Sequence, residues 1–264
     1  MEILGFLSSI LIGLSLGLIG GGGSILTVPV LVYFFKVDAV LATAYSLCIV
    51  GTTSLVGSIT YFKQKLVNLR TAFVFGVPSI IAVIVTRIFV LPLIPTVVYS
   101  SDAFTVTKNM LVMILFAVLM VLASYQMIRK NNGEEILESG KDGHALGVLF
   151  IQGALVGIIT GFIGAGGGFL IIPVLVNNLR VPMKEAIGTS LLIIAVNSLI
   201  GFVSSLPGII VDWSFLIKIV LLAIVGVFVG TYVGRRIDGH RLKPAFGWFI
   251  LIMGFYILAK ELFF

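Results

Sequence analysis

The chain has 264 residues, of which 59% are hydrophobic and only 11% are charged, and its formal net charge is +6. An ordinary soluble domain carries about 25% charged residues, so this composition excludes a soluble protein with a normal surface. The cations lie between hydrophobic runs, which argues against a nucleic-acid partner and is typical of membrane proteins. Cys48 is the single cysteine, which excludes a disulfide framework and a CxxC metal site.

Eight apolar runs follow one another along the chain, and most approach the roughly 20 residues that cross a bilayer as a helix. The period-two polarity of β-barrel strands is absent from them. We therefore predict an all-α polytopic membrane protein of the inner cell membrane. The runs cover residues 3–19, 40–62, 71–90, 111–128, 145–163, 186–206, 215–233 and 245–258.

An internal duplication organises these runs. The segment GLIGGGGSILTVPVLV at 17–32 returns as GFIGAGGGFLIIPVLV at 161–176, and the register continues without a gap as far as Gly57 and Gly201. Duplications of this kind are typical of transporters in which each half is one structural repeat. The sequence predicts a first transmembrane repeat at 1–130, a cytoplasmic linker at 131–143 and a second transmembrane repeat at 144–264.

Orientation follows from the basic loops. Lysines and arginines near 63–70, 129–130 and 235–243 are expected on the cytoplasmic side, which places both chain termini outside. Each half then contains a glycine-broken or re-entrant helix pair and three spanning helices, although five crossings per half satisfy the same rule. Either odd count makes the second half enter from the opposite side. The two repeats are therefore predicted to have inverted topology.

The two glycine clusters are candidates for an anion site. A break there frees backbone amides, which are costly in hydrocarbon unless they find a partner. An oxyanion satisfies such amides and the positive ends of the following half-helices. Close helix packing is the competing interpretation of glycines in a membrane. The candidate substrate-binding residues are Gly20, Gly21, Gly22, Gly23, Ser24, Gly164, Gly166, Gly167 and Gly168.

Polar side chains inside the helices extend this set. Ser190 and Asn197 are seven residues apart and share a helix face, and Ser46 occupies the position equivalent to Ser190. Hydroxyls of this kind also bond to their own helix, which is the competing interpretation. Arg87 lies well inside a run, where substrate coordination and interfacial anchoring both fit it. The further candidates are Ser46, Arg87, Thr189, Ser190 and Asn197.

The paired glycine elements, together with ATAYSL at 42–47 and AIGTSL at 186–191, resemble the sulfite exporter TauE/SafE family over essentially the whole chain. The resemblance implies a secondary transporter that exports a small anionic organosulfur compound, such as sulfite, a sulfonate or sulfoacetate. The expected partners are that substrate and the lipid bilayer. Tyr45 stands where the second half has Thr189, so the two sites are not strictly symmetric.

An anion channel and an importer of a related sulfur compound stay open as alternatives, because both would use the same glycine breaks. An intramembrane enzyme is less favoured, since no catalytic constellation lies within the hydrophobic runs. No catalytic residue, metal site or cofactor is predicted.

Overall fold

The computed structural model describes residues 2–19, 24–101, 104–128, 142–179, 181–234 and 239–263. Almost all of these residues are helical. The first half contains α1 (Glu2–Ile19), α2 (Thr27–Tyr33), α3 (Ala39–Lys63), α4 (Leu69–Val85), a π turn (Thr86–Val90), α5 (Leu91–Leu93), β1 (Val97–Ser101), β2 (Phe104–Thr107) and α6 (Lys108–Ile128). The second half contains α7 (Asp142–Ile163), α8 (Gly168–Leu179), α9 (Met183–Ser205), a 3₁₀ turn (Leu206–Gly208), α10 (Trp213–Gly234) and α11 (Gly239–Phe263).

Five helices in the described part of the chain are long and apolar enough to cross a membrane. A multi-pass helical membrane protein, as predicted, is thereby confirmed. The antiparallel β1–β2 hairpin is an addition that the helical prediction did not contain. The five spans are Ala39–Lys63, Leu69–Leu93, Lys108–Tyr125, Lys184–Gly208 and Trp213–Val233.

Two elements that follow the glycine clusters are short. α2 has 7 residues and α8 has 12, well below the roughly 20 residues of a spanning helix. The cluster at 20–23 lies outside the described residues. So does the predicted linker at 131–143, except that α7 already begins at Asp142.

Close helix pairs are made at glycines that face the backbone of a partner helix. A β-carbon on Gly13 of α1 would lie 1.9 Å from the Ala223 carbonyl oxygen of α10, and one on Gly157 of α7 would lie 2.3 Å from the Ser79 carbonyl oxygen of α4. Contacts further along each pair run in the same direction, so α1 lies parallel to α10, and α4 to α7. The contact of Gly51 with Leu199 belongs to the central pair, α3 and α9.

The direction of that central pair follows from two further contacts. Gly57 faces Leu191, whereas Gly201 faces Leu47. A position late in one helix thus meets a position early in the other, so α3 and α9 are antiparallel. Each helix contributes many of the fully buried side chains, and the hydrophobic core is centred on the two of them.

Several contacts occur twice, with residue numbers that differ by the spacing of the duplication, as in Gly13 and Gly157. The backbone amide of Asn68 donates to Thr189 Oγ1 at 2.9 Å, and the amide of Asp212 donates to Tyr45 Oη at 2.7 Å. Asn68 and Asp212 occupy equivalent positions, as do Thr189 and Tyr45. Asn68 and Asp212 also cap the helices that follow them, α4 and α10. The packing therefore repeats well beyond the segment in which the two sequences are visibly alike.

Candidate functional site

The loop between α7 and α8 has a left-handed backbone at three glycines. The φ angles of Gly164, Gly166 and Gly167 are +73°, +67° and +68°, values that residues with a β-carbon rarely adopt. Among the described residues, none accepts a backbone hydrogen bond from the amides of residues 165–167, although all of these residues are buried. Successive free amides in such turns form a concave anion-binding nest.

Three neighbouring helices press directly on this loop. A β-carbon on Gly164 would lie 2.2 Å from the Thr43 carbonyl oxygen of α3, and one on Gly167 would lie 2.3 Å from Thr160 Oγ1 of α7. One on Gly166 would lie 3.0 Å from Ser198 Oγ of α9. Glycine is therefore required at these positions by space as well as by backbone angle.

Arg87 lies on the π turn that follows α4, and only 4% of it is exposed. Its Nη1 donates to Thr43 Oγ1 at 3.0 Å, whereas Nε and Nη2 have no partner among the described residues. Insertions of this kind in helices are frequent at functional sites. A buried cation of this sort is costly unless an anion or strong acceptor reaches it.

Thr43 brings the cation and the glycine loop together. Its hydroxyl contacts the Arg87 guanidinium, while its carbonyl oxygen lies against Gly164. The same hydroxyl donates to the Val40 carbonyl of its own helix at 2.7 Å, which leaves its lone pairs to accept from Arg87. One residue of α3 therefore fixes the guanidinium beside the loop.

Two consecutive α9 residues add buried polar groups, and Ser198 is the one that borders the loop. Asn197 is fully buried, and its Nδ2 donates to Ser79 Oγ of α4 at 2.6 Å. Asn197 Oδ1, Ser198 Oγ and Thr160 Oγ1 have no hydrogen-bond partner in the described part of the chain. The loop is thus bordered by hydroxyl groups and a guanidinium that can donate to a bound oxyanion.

Comparison with known proteins agrees with this architecture. The family model described as Sulfite exporter TauE/SafE matches residues 5–257. The chain belongs to the sulfite exporter TauE/SafE family. A probable membrane transporter protein of Xylella fastidiosa (strain 9a5c) is 27% identical over 258 residues, which cover 95% of this chain and 92% of the relative.

Two further relatives carry the same kind of name. The probable membrane transporter protein YunE of Bacillus subtilis (strain 168) is 25% identical over 284 residues, covering 98% of this chain and 99% of the relative. The probable membrane transporter protein MJ0441 of Methanocaldococcus jannaschii is 34% identical over 122 residues, 44% of this chain and 45% of the relative. No solved structure matches. Family and relatives together indicate a membrane transporter and not an enzyme.

Within this TauE/SafE fold the sequence-predicted residues divide into two groups. Arg87 meets the glycines at 164–167 through Thr43, Asn197 directly precedes Ser198, which borders the same loop, and Gly168 begins α8. Ser46 is fully buried on α3, and its hydroxyl has no partner among the described residues. Ser24 is buried at the start of a single 3₁₀ turn before α2, while Gly20, Gly21, Gly22 and Gly23 lie outside the described residues.

Two other candidates have structural partners. Ser190 Oγ donates to the Ile187 carbonyl of its own helix at 2.9 Å, the competing interpretation for such hydroxyls. Thr189 Oγ1 accepts the backbone amide of Asn68 and so holds the α3–α4 connection against α9. Both hydroxyls are used within the TauE/SafE fold itself.

Sequence reasoning missed four side chains of this TauE/SafE site. Ser198 directly follows Asn197, and Thr43 lies inside the ATAYSL element that supported the resemblance, so both were within reach. Thr160 lies on α7 seven residues before Gly167, which it meets, so it was within reach as well. Ser79 has a tertiary signal only, because it meets the site through Asn197, a partner far away in sequence.

Proposed function

We propose that this TauE/SafE chain is a secondary transporter that exports a small organosulfur oxyanion, of the sulfite, sulfonate or sulfoacetate class, by alternating access. The observation that carries the proposal is Arg87, a buried guanidinium with two unused donor nitrogens and no carboxylate beside it among the described residues. An arginine fork matches the oxygens of an oxyanion in pairs. The family's description as a sulfite exporter supports the choice of substrate.

The α7–α8 loop supplies the second part of the proposed site. Its amides at 165–167, for which the described part of the chain offers no backbone acceptor, can donate without carrying charge, and the Ser198 and Thr160 hydroxyls border the same loop. Neutral donors around a single cation suit an anion that must be released again, because they bind it without adding further positive charge to the site. A sulfite, sulfonate or sulfoacetate group offers at least two oxygens to share between Arg87 and these amides.

We further propose that the two halves are inverted repeats and that their exchange gives access to each side in turn. The helix directions support this. α3 and α9 are antiparallel, α1 is parallel to α10, and α7 is parallel to α4. Since α4 returns from α3 through a short loop, and α10 from α9 in the same way, α1 and α7 run in opposite directions. Inverted repeats around a central site are the geometry of alternating access.

Sulfite exchange in vesicles tests the function. Purified protein in proteoliposomes is expected to exchange sulfite across the membrane with saturable kinetics, and Arg87→Gln is expected to weaken sulfite binding at least about tenfold, because bonds to a charged group contribute about 1.5–3 kcal/mol. Arg87→Lys should retain part of the affinity, since it keeps the charge and loses the fork.

Lys218→Gln is the matched control, because it removes an exposed cation from α10. Thermal stabilisation by sulfite, sulfonates, thiosulfate, sulfate and carboxylates ranks the substrates, since a bound ligand raises the unfolding temperature. Equal sulfite affinity for Arg87→Gln and Lys218→Gln would refute the proposal. Conductance without saturation would favour the anion channel instead.

A further inference from the structure

A small cavity of about 10 Å³ lies between α1, α3, α9 and α10, and Arg87 is not among the residues that line it. Its lining includes Gly17, Thr53, Tyr61 and Thr231. A space of this size accommodates about one water molecule.

The repeat relation connects this cavity to the Arg87 site. Gly17 is equivalent to Gly161, which faces Thr86 on the π turn; by the same register Thr53 is equivalent to Asn197, and Thr231 to Arg87. Two contact pairs that flank the positions, Gly13 with Ala223 and Gly157 with Ser79, obey the relation. The cavity therefore occupies, in one half, the place that Arg87 fills in the other.

The difference in side chains explains why only one of the two places is hollow. Threonine lacks the guanidinium and most of the stem of arginine, so Thr231 leaves space where Arg87 fills it. The cavity wall is largely apolar, but three of the residues that line it carry hydroxyl groups: Thr53, Tyr61 and Thr231. Thr53 Oγ1 donates to the Ile49 carbonyl of its own helix at 2.6 Å. An anion is a stronger acceptor than that carbonyl and can draw the hydroxyl away by rotation about χ1.

We propose that this cavity is the closed form of a second, weaker binding station for the same oxyanion, the counterpart of the Arg87 site in the other half. The inference rests on the proposed transport function. Hydrogen bonds from neutral hydroxyls are about half as strong as those from a guanidinium, so the station holds the anion only briefly. Tyr61 lies near the basic loop at 63–70, which places the station toward the cytoplasm as the entry point of an exporter.

Thr53→Val and Thr231→Val test this station, because valine keeps the shape of threonine and removes its hydroxyl. The probe is sulfite, measured both for equilibrium binding to purified protein and for exchange in proteoliposomes. We expect each variant to lower the exchange rate about fivefold, the effect of one neutral hydrogen bond, and to change the dissociation constant less than about twofold. The measured affinity is set by Arg87, which both variants retain.

Thr52→Val is the matched control. Thr52 precedes Thr53 on the same helix and its hydroxyl also donates to the Ile49 carbonyl, but it does not line the cavity. An exchange rate for Thr53→Val and Thr231→Val equal to that of Thr52→Val would overturn the second station. If Arg87→Gln still weakened sulfite binding about tenfold, the proposed function would stand. Unimpaired sulfite binding and exchange by Arg87→Gln would instead refute the proposed function itself.

Discussion

The Asn197 side-chain amide donates to Ser79 Oγ at 2.6 Å, which joins α9 to α4 inside the bundle. Both side chains are fully buried, so neither can exchange this hydrogen bond for one to bulk water. The bond fixes Asn197, which directly precedes the loop-bordering Ser198, and leaves its Oδ1 without a partner among the described residues.

Ser79→Ala is expected to lower the free energy of unfolding by about 1–3 kcal/mol, because it leaves the buried Asn197 amide without its acceptor. Thermal unfolding in detergent measures the effect. Ser204→Ala is the control, since the Ser204 hydroxyl donates only to the Ile200 carbonyl of its own helix. Equal unfolding temperatures for the two variants would show that the interhelical bond contributes nothing.

Gly164→Ala is expected to be severely destabilising. The positive φ costs about 1–2 kcal/mol for alanine, and the clash with the Thr43 carbonyl adds about 1–3 kcal/mol of overpacking. Gly76→Ala is the contrast, because a β-carbon there meets nothing within 4 Å and alanine favours the helix. We expect the yield of folded protein to fall for the first and to hold for the second. A normal yield and unfolding temperature for Gly164→Ala would contradict the loop geometry.

Tyr45 on α3 accepts a hydrogen bond from the connection after α9, and Thr189 on α9 accepts one from the connection after α3. Tyr45→Phe and Thr189→Val remove these two equivalent hydrogen bonds. Each variant deprives one backbone amide of its acceptor, so each is expected to cost about 1 kcal/mol of unfolding free energy. The double variant should be additive, because the two bonds share no partner. Tyr125→Phe, at an exposed side chain, is the control. A loss confined to one of the pair would argue against equivalent roles.

The proposed orientation is tested by cysteine labelling. Lys65 follows α3 and Ile210 follows α9, and both residues are exposed. Because α3 and α9 are antiparallel, the two residues lie at opposite ends of the helix pair. In a Cys48→Ala background, a membrane-impermeant maleimide is expected to label Ile210→Cys on intact cells and Lys65→Cys only after permeabilisation. The reverse labelling pattern would show the opposite orientation in the membrane, and labelling of both cysteines on intact cells would contradict the proposed topology.

Much of this fold could be predicted from the sequence because its main signals are local. Hydrophobic runs set the spanning helices, and the break at 164–168 follows from glycines that cost a helix roughly 1 kcal/mol each. The repeat register also extends to contacts such as the caps at Asn68 and Asp212, where the two sequences differ. A cap depends on the position of one short polar side chain, which both residues provide.

The roles of individual polar residues could not be predicted in the same way. The position of Arg87 well inside a hydrophobic run left interfacial anchoring open as an interpretation, but the side chain turns into the bundle and bonds to Thr43. Depth and face of a side chain depend on the π turn and on neighbouring helices. Thr189 was a substrate-binding candidate together with Asn197, yet its hydroxyl accepts from a loop amide more than a hundred positions earlier in the chain.

Among the described residues, only the first half contains a hairpin, formed by Val97–Ser101 and Phe104–Thr107. In that half a long connection joins α5 to α6, whereas residues 235–238 are all that separate α10 from α11 in the other. The two halves therefore share the packing of their helices but differ in this connection. A protease or antibody that recognises the hairpin therefore reaches it from only one side of the membrane. The hairpin is thus a built-in marker of the direction in which the protein was inserted.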